Sequence, residues 1–153
     1  MKKIILTFGF LLLNLPLGAQ APKIITASES VKPTTTLPAV IASEEVSFKG
    51  DGVSLSGTLY LPKNKAGQKV PAILMVSDFY SLREGVKVNK GLHTSYRDLA
   101  VHLVERGFAV LRYDRRCTGK SECNHRATMA VTADDGLGGV EFLRSRTEID
   151  TKK

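Results

Sequence analysis

Tryptophan is absent, cysteine occurs twice, and no basic tract interrupts a chain whose 22 Lys and Arg and 15 Asp and Glu are spread along 153 residues. Nucleic-acid binding needs clustered positive charge with aromatic partners, so that class is excluded. The two cysteines, Cys117 and Cys123, lie six apart in a spacing that matches no zinc signature. With His125 they offer three ligands where a structural zinc site needs four, so neither a metal nor any other cofactor is expected. No apolar run reaches the roughly 20 residues that span a bilayer, since the longest, Ile4 to Leu17, is interrupted by Asn14 and Pro16.

That run follows Lys2 and Lys3 and precedes Ala19-Gln20-Ala21, a small-x-small cleavage pattern, so residues 1–21 read as a secretory signal rather than an uncleaved anchor. The mature chain is then expected outside the cytoplasm, periplasmic or secreted, with no membrane span after cleavage. Loss of Lys2 and Lys3 lowers the formal charge from +7 to +5. In an oxidising compartment a disulfide between Cys117 and Cys123 is permitted, and two idle thiols are the alternative.

Residues 22–44 carry Ser28, Ser30, Pro33, Thr34, Thr35, Thr36 and Pro38 with no sustained apolar period, the composition of a flexible linker. From Glu45 the pattern changes. Val46 and Phe48 alternate with polar neighbours, Gly50-Asp51-Gly52 supplies turn chemistry, and Val53, Leu55, Gly57, Leu59 and Leu61 alternate again up to Pro62, which predicts a β-hairpin. Ala72 to Val76 is continuously apolar, as expected of a central strand covered on both faces. Ser95 and Asp98 have capping-box spacing ahead of a helix with Tyr96, Leu99, Ala100, Leu103 and Val104 on one face, stopped by Gly107. Phe108 to Leu111 is a second strand, which makes strand–helix–strand a parallel crossover. After a loop from Asp114 to Arg126, Thr132 and Asp135 repeat the capping spacing before a second helix through Leu137, Val140 and Leu143. Another parallel strand is due past Asp150. The fold class is α/β.

The stretch Gly52–Pro62, the helix Tyr96-Arg97-Asp98-Leu99-Ala100, the string Ala109-Val110-Leu111-Arg112-Tyr113-Asp114-Arg115-Arg116 with Thr118-Gly119-Lys120-Ser121, and Glu141 to Arg146 with Ile149-Asp150 resemble exported serine α/β-hydrolases. The likeness is to bacterial members near the dienelactone-hydrolase and prolyl-oligopeptidase-like esterases. It covers residues 45–150 and implies a partial α/β-hydrolase fold, the amino-terminal half of the domain: a β-hairpin, then parallel strand–helix–strand–helix.

The resemblance implies acyl transfer on an ester or peptide carbonyl by a serine, with a histidine base oriented by an acid. The serine belongs in a G-x-S-x-G turn after a parallel strand. No such string occurs in the 153 residues, and relatives place it just past Asp150. Gly119-Lys120-Ser121-Glu122-Cys123 lacks the second glycine, so Ser121 reads as a loop residue. His93, His102 and His125 all precede the place of the nucleophile, whereas the family's base follows it. Asp134 and Asp135 are read as serving a helix N-terminus. No catalytic residue is assigned. The loop after Ala72–Val76 donates an oxyanion N–H in the family, and Phe79 occupies the matching position, but Ser77-Asp78 stands where relatives show histidine-glycine. Cys117 stands where relatives commonly carry glycine. A phosphate-loop reading of Gly119-Lys120-Ser121 fails because Asp114 takes the place of its first glycine.

The expectation is therefore a fragment of an exported serine hydrolase, inactive alone. The alternatives are a non-catalytic binding module and a half-enzyme complemented by a second chain. Partners would be that half, or another copy pairing through an exposed sheet edge.

Overall fold

The computed structural model describes residues 36–152 except 66, 78–80, 89–90 and 125–126. The expected signal, most of the expected linker, His125 and the oxyanion-loop residues Asp78 and Phe79 lie outside the described residues.

The alternating segments form the expected hairpin: β1 (Ile41–Lys49) and β2 (Ser54–Pro62) pair antiparallel from Ile41↔Pro62 to Lys49↔Ser54. The strand begins four residues before the boundary expected at 45. Ile41 looks like linker locally, but it is buried, and its N–H donates to the Pro38 carbonyl at 3.0 Å. Pairing with β2 makes it a strand, which local composition does not reveal.

β3 (Ala72–Met75) and β7 (Ala109–Tyr113) pair parallel from Ala72↔Ala109 to Met75↔Arg112, and β7 also pairs antiparallel with β2, giving the order β1-β2-β7-β3. The central, wholly buried strand is therefore β7. β3, expected to be central, has β7 as its only strand partner among the described residues, and its four side chains are half-buried. A continuous apolar run says that both faces should be covered but not which strands lie beside it. Between β3 and the first helix lies an unanticipated three-stranded antiparallel sheet, β4 (Ser81–Leu82), β5 (Gly85–Val88) and β6 (Gly91–His93), whose strands are too short to leave a period-2 signal.

Helix α1 (Ser95–Glu105) starts one residue earlier than the capping-box spacing implied. Thr94 is its N-cap, and the Thr94 hydroxyl bonds Asp98 Oδ2 at 3.0 Å. Ala100 and Val104 are buried against Ile41, Tyr60 and Val110, while Leu99, expected on that face, is 49% exposed. Gly107, at φ +92°, donates to the Val104 carbonyl, and Phe108 donates to the Leu103 carbonyl, a pair of bonds that closes the helix with a left-handed glycine.

Helix α2 (Met129–Ser145) differs more from expectation. Its N-cap is Thr128, whose hydroxyl accepts from the Val131 N–H at 3.2 Å, so Thr132 and Asp135 lie inside the helix. Leu143 and Phe142 pack on Phe48, Leu55, Leu59, Leu111 and Tyr113, the residues that alternate with those facing α1, so the two helices cover opposite faces of the sheet. The helix lies close because of Gly138: a Cβ there would collide with the Lys49 carbonyl oxygen. Leu137, counted on the apolar face, is 61% exposed.

Candidate functional site

In open α/β sheets, ligands bind beyond the carboxyl ends of the parallel strands. Here that place is occupied by the continuation of β7. Asp114, Arg115 and Arg116 are all buried, although nothing in a run of charges signals burial.

Asp114 folds its carboxylate back into its own loop. Its Oδ1 accepts from the Arg83 N–H and its Oδ2 from the Lys120 N–H, both at 3.1 Å, with Arg83 Nε 3.6 Å from Oδ2. Gly119, at φ +52°, passes so close that a Cβ would collide with this carboxylate. The Lys120 N–H that a phosphate would need is thus already used by an acid of the chain.

Ser121 is equally committed. Its hydroxyl donates to the Asp114 carbonyl at 2.5 Å and accepts from the Ser56 N–H at 2.9 Å, while the Glu122 carboxylate accepts from the Ser54 N–H at 2.6 Å. The loop thereby extends the sheet along β2, and Ser121 is a strut. Ser121→Ala leaves the Ser56 N–H without its acceptor, so a loss of about 1–2 kcal/mol is expected in urea unfolding. An unchanged midpoint would count against this role.

Arg116 reaches three segments. Nε and Nη2 bond Asp135 Oδ2 and Oδ1 at 2.8 and 2.7 Å, Nη2 also donates to the Asp51 carbonyl at 2.8 Å, and Nη1 to Asn124 Oδ1 at 2.8 Å. Asp135 Oδ1 accepts in addition from the Asp51 N–H at 3.1 Å. The hydrogen bonds to Asp135 hold the guanidinium pKa above its ordinary value, against the opposing effect of burial. The reading of Asp135 as a helix-terminus charge is therefore corrected. It is a buried ion-pair partner in mid-helix, and only its neighbour Asp134 is exposed. The two side chains point about 100° apart, as adjacent helical residues must.

Cys117 and Cys123 are joined by a disulfide with a Cα–Cα distance of 4.3 Å. Cys117 has φ +63°, the left-handed region that glycine enters without cost, which accounts for glycine being the residue expected there. His93, at the end of β6, and His102, on α1, are both exposed. Among the described residues no group of three or more His, Cys, Asp or Glu could hold a metal ion.

Among the described residues, two buried hydroxyls lack hydrogen-bond partners, Ser77 Oγ and Tyr113 Oη. Burial pushes the Tyr113 pKa up to about 12, with the Asp135 charge adding to the rise. A folded value above the ordinary 10 means that the protonated form is favoured on folding, so stability is retained below pH 10 and falls as pH rises from 10 towards 12. Tyr113→Phe removes an unsatisfied hydroxyl. It is expected to stabilise the fold by about 1 kcal/mol at pH 8 and to flatten the alkaline loss, as measured by denaturant unfolding at pH 8 and pH 11. Destabilisation at pH 8 would refute the orphan assignment.

A hairpin feeding a parallel pair, with a helix on each face, defines the opening part of an α/β-hydrolase fold. Residues 51–151 match the model of the family described as X-Pro dipeptidyl-peptidase (S15 family). The chain belongs to that family. It is 30% identical over 123 residues to an uncharacterised protein of Pseudomonas aeruginosa, covering 78% of this chain and 31% of that protein. The crystal structure of the Pseudomonas protein superposes with a TM-score of 0.64 at 29% identity, covering 75% of this chain and 34% of the other. A polyketide transferase of Penicillium crustosum is 27% identical over 113 residues, 72% of this chain and 34% of that protein. An α/β hydrolase from Penicillium sp. sh18 shares the fold at a TM-score of 0.58 and 22% identity, covering 72% of this chain and 35% of the other. The chain thus spans about a third of the length of the relatives it matches.

Proposed function

We propose that these residues are the amino-terminal scaffold of an exported serine α/β-hydrolase that transfers an acyl group from an ester or peptide carbonyl, and that they carry no nucleophile, acid or base of that reaction. The observation that carries this reading is the commitment of Ser121: its hydroxyl proton goes to the Asp114 carbonyl and its oxygen accepts from the Ser56 N–H, so both hydrogen-bonding directions go to backbone and no histidine among the described residues takes the proton. The S15 family name points to peptides with proline second, and the Penicillium crustosum relative's name to a transferase acting on polyketides. Both fit the acyl chemistry to which the likeness to dienelactone-hydrolase and prolyl-oligopeptidase-like esterases also points. Phe79 remains the candidate oxyanion donor. The purified 153-residue chain is expected to hydrolyse short p-nitrophenyl esters no faster than buffer.

Export is the second part of the proposal, resting on Lys2-Lys3, the apolar stretch after them and Ala19-Gln20-Ala21. Protein recovered from the periplasm or medium should begin near residue 20, and non-reducing digestion should yield one cross-linked peptide holding Cys117 and Cys123. Cytoplasmic protein that keeps Met1 and labels at both thiols would remove this part.

A further inference from the structure

Helix α2 covers only part of its face of the sheet. It ends at Ser145, and Arg146 then binds the Glu44 carboxylate at 3.1 and 2.8 Å. The next pair on that face, Ala42↔Leu61, lies beyond this ion pair, because antiparallel partners share a face and alternate residues return to it. Past Pro62 the chain folds back over this end of the sheet. Gly67, at φ +79°, sits in a turn in which the Gln68 N–H donates to the Lys65 carbonyl at 2.9 Å, and Val70 then bridges to Ile149. Between these segments lies a cavity of about 320 Å³ lined by apolar Ala42, Leu61 and Val70 and by Lys63, Lys65 and Glu148. It is at the end of β2 away from the Ser121 loop, which bonds Ser54 and Ser56, and residues 149–151 run from it along Ala72 and Leu74.

The charges around this cavity do not cancel. Arg146 Nη2 holds the Glu148 carboxylate at 2.9 Å and also serves Glu44, whereas neither Lys63 nor Lys65 has an ion-pair partner among the described residues. Three cations thus face two acids. We propose that the cavity binds a linear, medium-chain aliphatic carboxylic acid, with its chain on Ala42, Leu61 and Val70 and its carboxylate between the Lys63 and Lys65 ammonium groups. The volume stands at the lower end of the roughly 300–1,000 Å³ of small-ligand sites, which suits one slender chain and not a folded peptide. No aromatic side chain is among the described lining residues, so a ring would find no stacking partner there. A bare inorganic anion would leave the apolar floor unused, and a neutral alcohol would leave the lysines unused. The site is independent of the hydrolase chemistry, and its occupancy is read separately from ester turnover.

The test is an amide-resolved NMR titration of the 153-residue chain with hexanoate, octanoate and decanoate, each below its critical micelle concentration. Saturable shifts are expected at Ala42, Leu61, Lys63 and Val70 and not at Ser54 or Ser121, with each added methylene tightening binding about three- to fourfold. Lys63→Glu combined with Lys65→Glu changes two exposed side chains, so the fold should be kept. This variant should bind octanoate weaker by on the order of tenfold and octanol as the parent does. Octanol binding the parent as tightly as octanoate, or octanoate affinity unaltered in the charge-reversed variant, overturns the assignment of an acid. Absence of saturable shifts, or shifts spread over the whole chain, overturns the site itself.

Discussion

Asp135→Ala is expected to cost about 3–5 kcal/mol, because it strands the Arg116 guanidinium, whose side chain has no solvent exposure, without its carboxylate. Domains of this size have about 5–15 kcal/mol in hand, so the variant should be largely unfolded or close to it. The loss exceeds that of one ion pair because Asp135 and Arg116 also hold the backbone of Asp51, and through it the β1–β2 turn. Three segments distant in sequence, the hairpin turn, the loop after β7 and helix α2, meet at this pair. Replacing both partners with apolar residues, as in Asp135→Leu with Arg116→Met, should recover most of the stability, since the cost lies in the uncompensated charge. Urea unfolding followed by circular dichroism measures both. A single-variant loss under about 1 kcal/mol would mean that water reaches the site and that the network is not the knot described above.

The same pair marks where the sequence stops being readable. Elements built from local periodicity were legible: the alternation through Val46–Leu61 became the hairpin, and Gly107 ended α1 in the left-handed conformation. Features decided by distant partners were not. Thr132 and Asp135 mimic a capping box, yet Thr128 caps the helix, and Asp135 turns inward because Arg116, 19 residues earlier, meets it there. Ile41 becomes strand through Pro62, and among the described residues β7 rather than β3 has a strand on both sides, neither of which leaves a local signal. The meander of β4, β5 and β6 leaves too few residues per strand for a period to be seen. At the candidate site the loop character of Ser121 was legible from its polar surroundings. Its two backbone partners were not, because Ser56 lies 65 residues away.

The central claim is that this chain supplies scaffold and no nucleophile. Removing a serine triad lowers turnover by on the order of a million-fold, so whatever remains from binding alone should be lost in the solvent hydrolysis of labile esters. The most direct measurement is reaction of the purified chain with a fluorophosphonate probe, which bonds only to an activated serine, alongside Ser121→Ala. The account predicts no labelling of either protein. Labelling of the parent that disappears in Ser121→Ala would contradict it, since the hydroxyl bonded to Asp114 and Ser56 would then have to leave both partners and act as a nucleophile.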